Sequence, residues 1–200
     1  MWHQVRTPAD PTVVAAVVDL ARTAEPACGP TLVVAIDGPS GSGKTTLALG
    51  VRDALTTALG RTTPVPVVHM DEIFPGWDGL EPAPGLLTTQ VLEPLSRGAD
   101  AAYRLWDWSL DRWGETRELP WTATVLVEGC GSTVTPAGRF AAVRVFVEAD
   151  PAVRMARGIE RDGETYRQHW ERWAAQERAI YAADGTRDRA HLVVDTTDVH

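Results

Sequence analysis

Short apolar runs alternate with amphipathic stretches along this chain. Thr31-Leu32-Val33-Val34-Ala35-Ile36 is a continuous apolar run, the pattern of a strand buried on both faces. From Thr45 to Leu59, the residues Leu47, Val51, Leu55 and Ala58 fall on one helical face, and Gly60 and Pro64 end that helix. Four more runs read as strands: Val65–Met70, Thr122–Gly129, Arg144–Glu148 and His191–Asp195. Asp150-Pro151 has the form of a helix start, a capping carboxylate followed by proline. Residues 166–182 predict a further helix with Trp170, Trp173 and Ala174 inward. Residues 7–24 predict an N-terminal helix with Val14, Val17, Val18 and Ala21 on its apolar side. Thr7 and Asp10, each followed by proline, are its alternative caps. Such a helix would cover the sheet or a partner subunit. Residues 75–86 are rich in Pro and Gly and read as a loop, and Leu86–Leu95 as a short helix capped by Thr88.

The first strand and the helix after it are joined by Gly38-Pro39-Ser40-Gly41-Ser42-Gly43-Lys44-Thr45, which fits the phosphate-binding pattern of Gly, four residues, then Gly-Lys-Thr. Glycines at 38, 41 and 43 let backbone N–H groups approach phosphate oxygens with no Cβ in the way. The helix N-terminus adds unpaired N–H groups and the positive end of its dipole. Ser40, Ser42 and Thr46 complete the expected cradle. Lys44 is expected to reach the β- and γ-phosphates, and the Thr45 hydroxyl to bind Mg²⁺. Lys44 is also the only lysine in the sequence; every other cationic side chain of that kind is arginine.

Bulk properties narrow the classes. Two hundred residues suit a single domain with a sizeable core. A net charge of −8 speaks against a large nucleic-acid footprint, so a bound anion needs a local basic pocket. No apolar run is long enough for a bilayer, and the first residues lack a signal-peptide pattern. Cys28 and Cys130 have no metal-ligand spacing and read as reduced thiols, which suggests a cytoplasmic protein. The histidines, His69 among them, show no metal-site spacing and are read as structural or exposed.

Candidate chemistry beyond the loop sits at strand ends. In an open parallel sheet, ligands bind beyond the carboxyl ends of the strands. Asp71 ends the second strand, where it could take a proton from an acceptor hydroxyl or hold Mg²⁺ through water. Glu128 ends the third and reads as a second acidic residue supporting the metal; both acids also fit plain turn caps. Five of the eight tryptophans lie between 77 and 121. Phe74, Trp77, Tyr103, Trp106 and Trp108 together suggest a wall for a planar acceptor, or the packing of a small lid. Arg154, Arg157 and Arg161 share a helical face, which suits either a lid over phosphates or a solvated charged face.

With these residues in order, the chain resembles the uridine kinase-like group of phosphate-loop kinases from about residue 32 to residue 195. The resemblance rests on the loop, Asp71-Glu72-Ile73-Phe74, Trp106-Asp107-Trp108, Val127-Glu128-Gly129, and Arg154-Met155-Ala156-Arg157 leading to Arg161-Asp162. It implies an α/β, three-layer P-loop NTPase fold: a five-stranded parallel sheet flanked by helices, with a small lid. Residues 1–200 would form one kinase domain, with an N-terminal helix at 7–24, an acceptor-site insert at 75–121 and a lid at 151–165. It further implies ATP and Mg²⁺ as cofactors and a small-molecule acceptor. Lys44, Asp71, Arg157 and Arg161 would be catalytic, with Arg167 as a further lid cation. Thr45, Asp71 and Glu128 would serve the metal. The acceptor could be nucleoside-like, or a vitamin precursor, a sugar or an antibiotic. A nucleotide-dependent ATPase or switch with a protein partner is the alternative of a different class.

Overall fold

A computed structural model describes residues 9–198, without the side chains of residues 162 and 164–166. Five strands form one parallel sheet: β1 (Leu32–Asp37), β2 (Val67–His69), β5 (Thr124–Glu128), β6 (Val143–Glu148) and β7 (Leu192–Asp195), in the order β2-β5-β1-β6-β7. β1 lies at the centre between β5 and β6, so the loop after it leaves from the middle of the sheet's carboxyl edge. The central strands β1 and β5 are buried on both faces, whereas the edge strand β7 leaves Val193 and Asp195 exposed. Val33, Ala35, Val125 and Val127 face one core; Val34, Ile36, Leu126 and Val145 face the other.

The second of these cores is closed by α1 (Pro11–Thr23) and α2 (Lys44–Ala58), through Val17 and Ala21 and through Leu47, Val51 and Leu55. Asp10 caps α1, its Oδ1 accepting from the Thr12 N–H at 2.8 Å, with Pro11 in the first turn. Thr7, the other expected cap, lies outside the described residues. α2 starts one residue earlier than the pattern predicts, on Lys44 itself. β2 is shorter than the expected 65–70, because Pro66 has no N–H to give a ladder and Met70 already belongs to the 3₁₀ turn Met70–Glu72.

The first core lies under the segment between β2 and β5, where the sequence reading needs correction. Residues 75–82 are turns, but the helical run begins at Ala83 instead of Leu86. It continues through α3 (Ala83–Leu87), a π-helical turn (Thr88–Leu92) and α4 (Glu93–Ser96). Thr88 is therefore inside the run and caps nothing; its hydroxyl donates to the Pro84 carbonyl at 2.7 Å. Pro84 sits in the first turn, where no N–H is required, and the widened turn falls just before Pro94, which cannot supply one. The tryptophan-rich stretch forms an antiparallel hairpin, β3 (Ala101–Asp107) and β4 (Arg112–Leu119). Ala101 and Tyr103 point inward while Ala102 and Arg104 point out, the alternation of a half-buried strand. Asp107 Oδ1 collects the N–H groups of Ser109 and Leu110 to close the turn.

After β6 come α5 (Pro151–Asp162), capped by Asp150, and α6 (Glu164–Asp184), with Gly163 at φ 74° between them. No helix among the described residues is long and apolar enough to cross a membrane.

One buried carboxylate ties these layers together. Asp37, the last residue of β1, is 0% exposed. Its Oδ1 accepts from Gly38 N–H (2.6 Å), Gly131 N–H (2.8 Å) and Tyr181 O–H (2.7 Å); its Oδ2 accepts from Thr133 N–H (2.7 Å) and O–H (2.8 Å). Both oxygens face only donors, so an amide NH₂ in either position meets donors head-on. Asp37→Asn is expected to cost about 2–4 kcal/mol, read as a lower urea midpoint at unchanged slope.

Candidate active site

The carboxyl edge of β1 carries the glycine loop, and helices α5 and α6 press on its outer side. Gly41 has φ 78°, and a Cβ placed there would stand 2.3 Å from the Arg154 carbonyl oxygen. Glycine is required at 41 for conformation and for close approach alike. Gly43 has φ 90° but open surroundings, with no atom nearer than 3.9 Å to such a Cβ. Ser42 is buried, and its hydroxyl has no hydrogen-bond partner among the described residues, which leaves a polar atom in the loop available to a ligand.

Lys44 is 7% exposed and folds back so that Nζ donates to the Pro39 carbonyl at 2.9 Å. Burial alone would lower its pKa; the surrounding Cys130, Glu128, Glu177 and Asp71 outweigh that and raise it. The ammonium is thus kept charged inside the fold.

β2 and β5 bring two acids beside this lysine. Register pairs His69 directly with Glu128 at the ends of the two strands. Glu128, 3% exposed, has Oε1 2.6 Å from His69 Nδ1, and the Thr45 hydroxyl donates to both its oxygens at 3.2 and 3.3 Å. Burial would lower the pKa of His69, but its hydrogen bond to Glu128 and the charges of Glu128, Glu72 and Asp71 raise it. The sequence reads His69 as structural or exposed, and the structure sets it against Glu128. Its place two residues before Asp71, at the same strand end, was the available signal. Asp71 is held above the usual carboxylate range by burial and by the charge of Glu128, against the opposing pull of Arg161, Lys44 and His69. Thr45, Glu128 and Asp71 therefore offer hard oxygen donors to one small region. That donor chemistry fits Mg²⁺, which takes one or two carboxylates together with phosphate oxygens and water. Among the described residues there is no group of three or more His, Cys, Asp or Glu placed to hold a metal ion.

The aromatic residues divide into two groups. Phe74 and Tyr103 are 1% and 2% exposed and belong to the core, so neither offers a ring face to an acceptor. Phe74 packs edge-on against Trp173 at 4.9 Å. The Tyr103 hydroxyl joins Glu72 and Arg117, whose ion pair (2.6 Å) fastens the segment after β2 to β4. Trp108 is exposed, and Trp77 is partly buried against the core. They meet edge to face at 5.1 Å, and Trp108 Nε1 donates to the Asp71 carbonyl at 2.8 Å. Trp77 also stacks on His169 of α6 (4.3 Å, 14°), and its carbonyl accepts from Gln176. Trp106 meets Trp113 of the hairpin edge to face and lies beside Gly76 of the segment after β2.

The expected lid arginines also part company. Arg161 lies within electrostatic reach of Asp71. Arg157 donates to the Thr196 hydroxyl (3.1 Å) and carbonyl (2.8 Å), and that hydroxyl donates to the Ser42 carbonyl (2.8 Å). It reaches the loop through Thr196. Arg167 is exposed on the first turn of α6. Cys130 is buried, and burial pushes its thiol well above the ordinary range, which fits packing and not nucleophilic chemistry.

A five-stranded parallel sheet of this order, with a Gly-Lys-Thr loop leaving its central strand and helices on both faces, is the fold of P-loop kinases. Among solved structures, the chain is similar to a possible uridine kinase from Bacillus stearothermophilus, with 22% identity over 91% of this chain and 97% of that one, and a TM-score of 0.62. It is also similar to a candidate fructose transport system kinase from Silicibacter sp. TM1040, with 21% identity over 91% and 97% and a TM-score of 0.57. No protein-family model matches the sequence, and no curated protein is significantly similar to it.

The two loop glycines separate experimentally. Gly43→Ala carries only left-handed strain and is expected to cost about 1–2 kcal/mol. Gly41→Ala adds a collision with α5 and is expected to cost more than about 3 kcal/mol. Urea denaturation of both variants without nucleotide measures the difference.

Proposed function

We propose that the protein is a small-molecule kinase that transfers the γ-phosphoryl group of Mg·ATP to a hydroxyl group of an acceptor bound against Trp77 and Trp108. The observation that carries this reading is the meeting of Lys44, Thr45, Glu128, Asp71 and Arg161 at one carboxyl edge. A hydrolase or switch needs the loop and the metal acids. It does not need a further acid beside an aromatic wall.

Each residue has a role that its position supports. The N–H groups of the glycine loop and Lys44 hold the phosphates, and Lys44 exchanges its Pro39 carbonyl for phosphate oxygens. Mg²⁺ bound with the nucleotide would neutralise charge between the β- and γ-phosphates, with Thr45 and Glu128 to hold it. Asp71, its pKa raised by burial and by Glu128, accepts the proton of the acceptor hydroxyl. The acceptor oxygen forms the new P–O bond, the bond from the γ-phosphorus to the β-phosphate oxygen breaks, and ADP leaves. Arg161 faces this region and offsets the charge of the transferring group. Trp108 positions Asp71 through its carbonyl, and Trp77 supplies an apolar face. An acceptor that lies on tryptophan faces and binds few cations is uncharged and carries a planar or apolar side, as a nucleoside does. Arg117 and Arg172 are already paired with Glu72 and Asp78.

The test is ADP release from Mg·ATP by the purified protein against nucleosides, sugars, pantothenate and aminoglycosides. At least one neutral acceptor should raise the rate more than tenfold, and chelation of Mg²⁺ should abolish the rise. Asp71→Asn should lower turnover at least a thousandfold while leaving ATP affinity within about threefold. Lys44→Ala should lose both turnover and affinity. Slow hydrolysis indifferent to every acceptor and to Asp71 would instead favour a nucleotide switch with a protein partner. Equal ATP affinity in Lys44→Ala would remove the lysine from its assigned role.

A further inference from the structure

Glu177 lies 137 residues beyond Ser40, near the middle of α6, and no feature of the phosphate-loop motif points to it. It is 2% exposed, and every neighbour its carboxylate bonds is a donor. Oε1 accepts from the Ser40 N–H at 2.6 Å, from Trp173 Nε1 at 2.8 Å and from the Cys130 thiol at 3.3 Å. Oε2 pairs with Arg154 Nη1 at 3.4 Å. The same Arg154 nitrogen donates to the Ser40 carbonyl at 3.1 Å.

These bonds fall on two consecutive peptide groups. The Ser40 N–H belongs to the 39–40 peptide, whose carbonyl, that of Pro39, accepts from Lys44 Nζ. The Ser40 carbonyl belongs to the 40–41 peptide. Glu177 and Arg154 together therefore fix both peptide planes leading into Gly41, the point at which the loop turns against α5. The 39–40 peptide is held between an anion at its N–H and the ammonium of Lys44 at its carbonyl. When Lys44 leaves Pro39 for a phosphate, the Glu177–Arg154 pair still holds the loop from outside.

We propose that Glu177 is a positioning residue for the nucleotide site: with Arg154 it clamps the phosphate loop in its binding shape from α6, without touching the nucleotide. The inference rests on the nucleotide-binding reading of the loop. A loop already ordered loses less conformational freedom when a ligand arrives, so the clamp appears as affinity. A buried carboxylate placed here against this role would only repel phosphate, and its removal would tighten binding. The two possibilities predict opposite signs.

The test is calorimetric titration of the full chain with Mg·ADP, alongside thermal unfolding with and without ADP. Glu177→Gln keeps an oxygen for the Ser40 N–H but loses the charge that faces Arg154. Trp173→Phe keeps the aromatic packing and removes the indole N–H. Glu177→Gln is expected to bind ADP at least tenfold more weakly, and Trp173→Phe at least threefold more weakly, with a correspondingly smaller ADP-induced rise in melting temperature. Lys44→Ala, assayed beside them, tests the underlying reading. Affinity in Glu177→Gln equal to or tighter than that of the unmodified chain, with Lys44→Ala weakened, overturns the clamp and leaves the nucleotide site standing. No ADP binding by the unmodified chain, or equal binding by Lys44→Ala, overturns the nucleotide reading and the clamp with it. If Glu177→Gln does not fold, Trp173→Phe decides by the same criterion.

Discussion

A buried carboxylate must be surrounded by donors or give up its charge, and this fold buries three of them around a loop shaped for an anion. Asp37 is satisfied by N–H and O–H groups of four residues from three segments, Glu128 by His69 and Thr45, and Glu177 by Ser40, Trp173 and Arg154. The donors come from distant parts of the chain, so satisfying the acids forces the layers into register. Moving β5, α5 or α6 would leave a charge buried without partners, which costs far more than most packing changes. The acids also explain how a protein of net negative charge supports a cationic point at Lys44. Glu128 and Glu177, together with Asp71, hold the ammonium charged.

Much of this architecture is legible in the sequence, because the central strands are short, fully apolar and punctuated by glycine and proline. The run 31–36, the glycine loop and the helix after it form one local unit whose pattern leaves little choice. The acids at strand ends, Asp71 and Glu128, could be placed because a strand's carboxyl end is a definite location in a parallel sheet. The insert was harder. The buried positions of its strands, β3 and β4, are Ala101, Tyr103 and Leu119, while Trp106 and Trp113 pair near the turn, and aromatic enrichment reads equally as wall or core. Only the pairing of β3 with β4 decides that Tyr103 is inside, and only the turn beyond β3 leaves Trp108 outside.

The residues that sequence reasoning passed over share one property: their partners are remote. His69 matters because register sets it opposite Glu128. Glu177 matters because α6 folds back over a loop more than a hundred residues earlier. Arg157 carries the same lesson in reverse. Its spacing from Arg161 puts both on one helical face, yet Thr196, from the end of β7, takes its guanidinium. Helical periodicity fixes direction along one element and says nothing of what another element brings to meet it.

Lys44 is the sole lysine of the sequence, and it lies almost wholly covered with its nitrogen on a backbone carbonyl. Apart from the chain's terminal amine, the protein therefore presents a single primary amine to acylating or reductively alkylating reagents. Labelling chemistry that elsewhere scatters over a surface is confined here to the terminal amine and one atom in the loop. An occupant that takes up Lys44 would shield it, so the extent of modification at Lys44 itself, read apart from the terminal amine, would gauge occupancy.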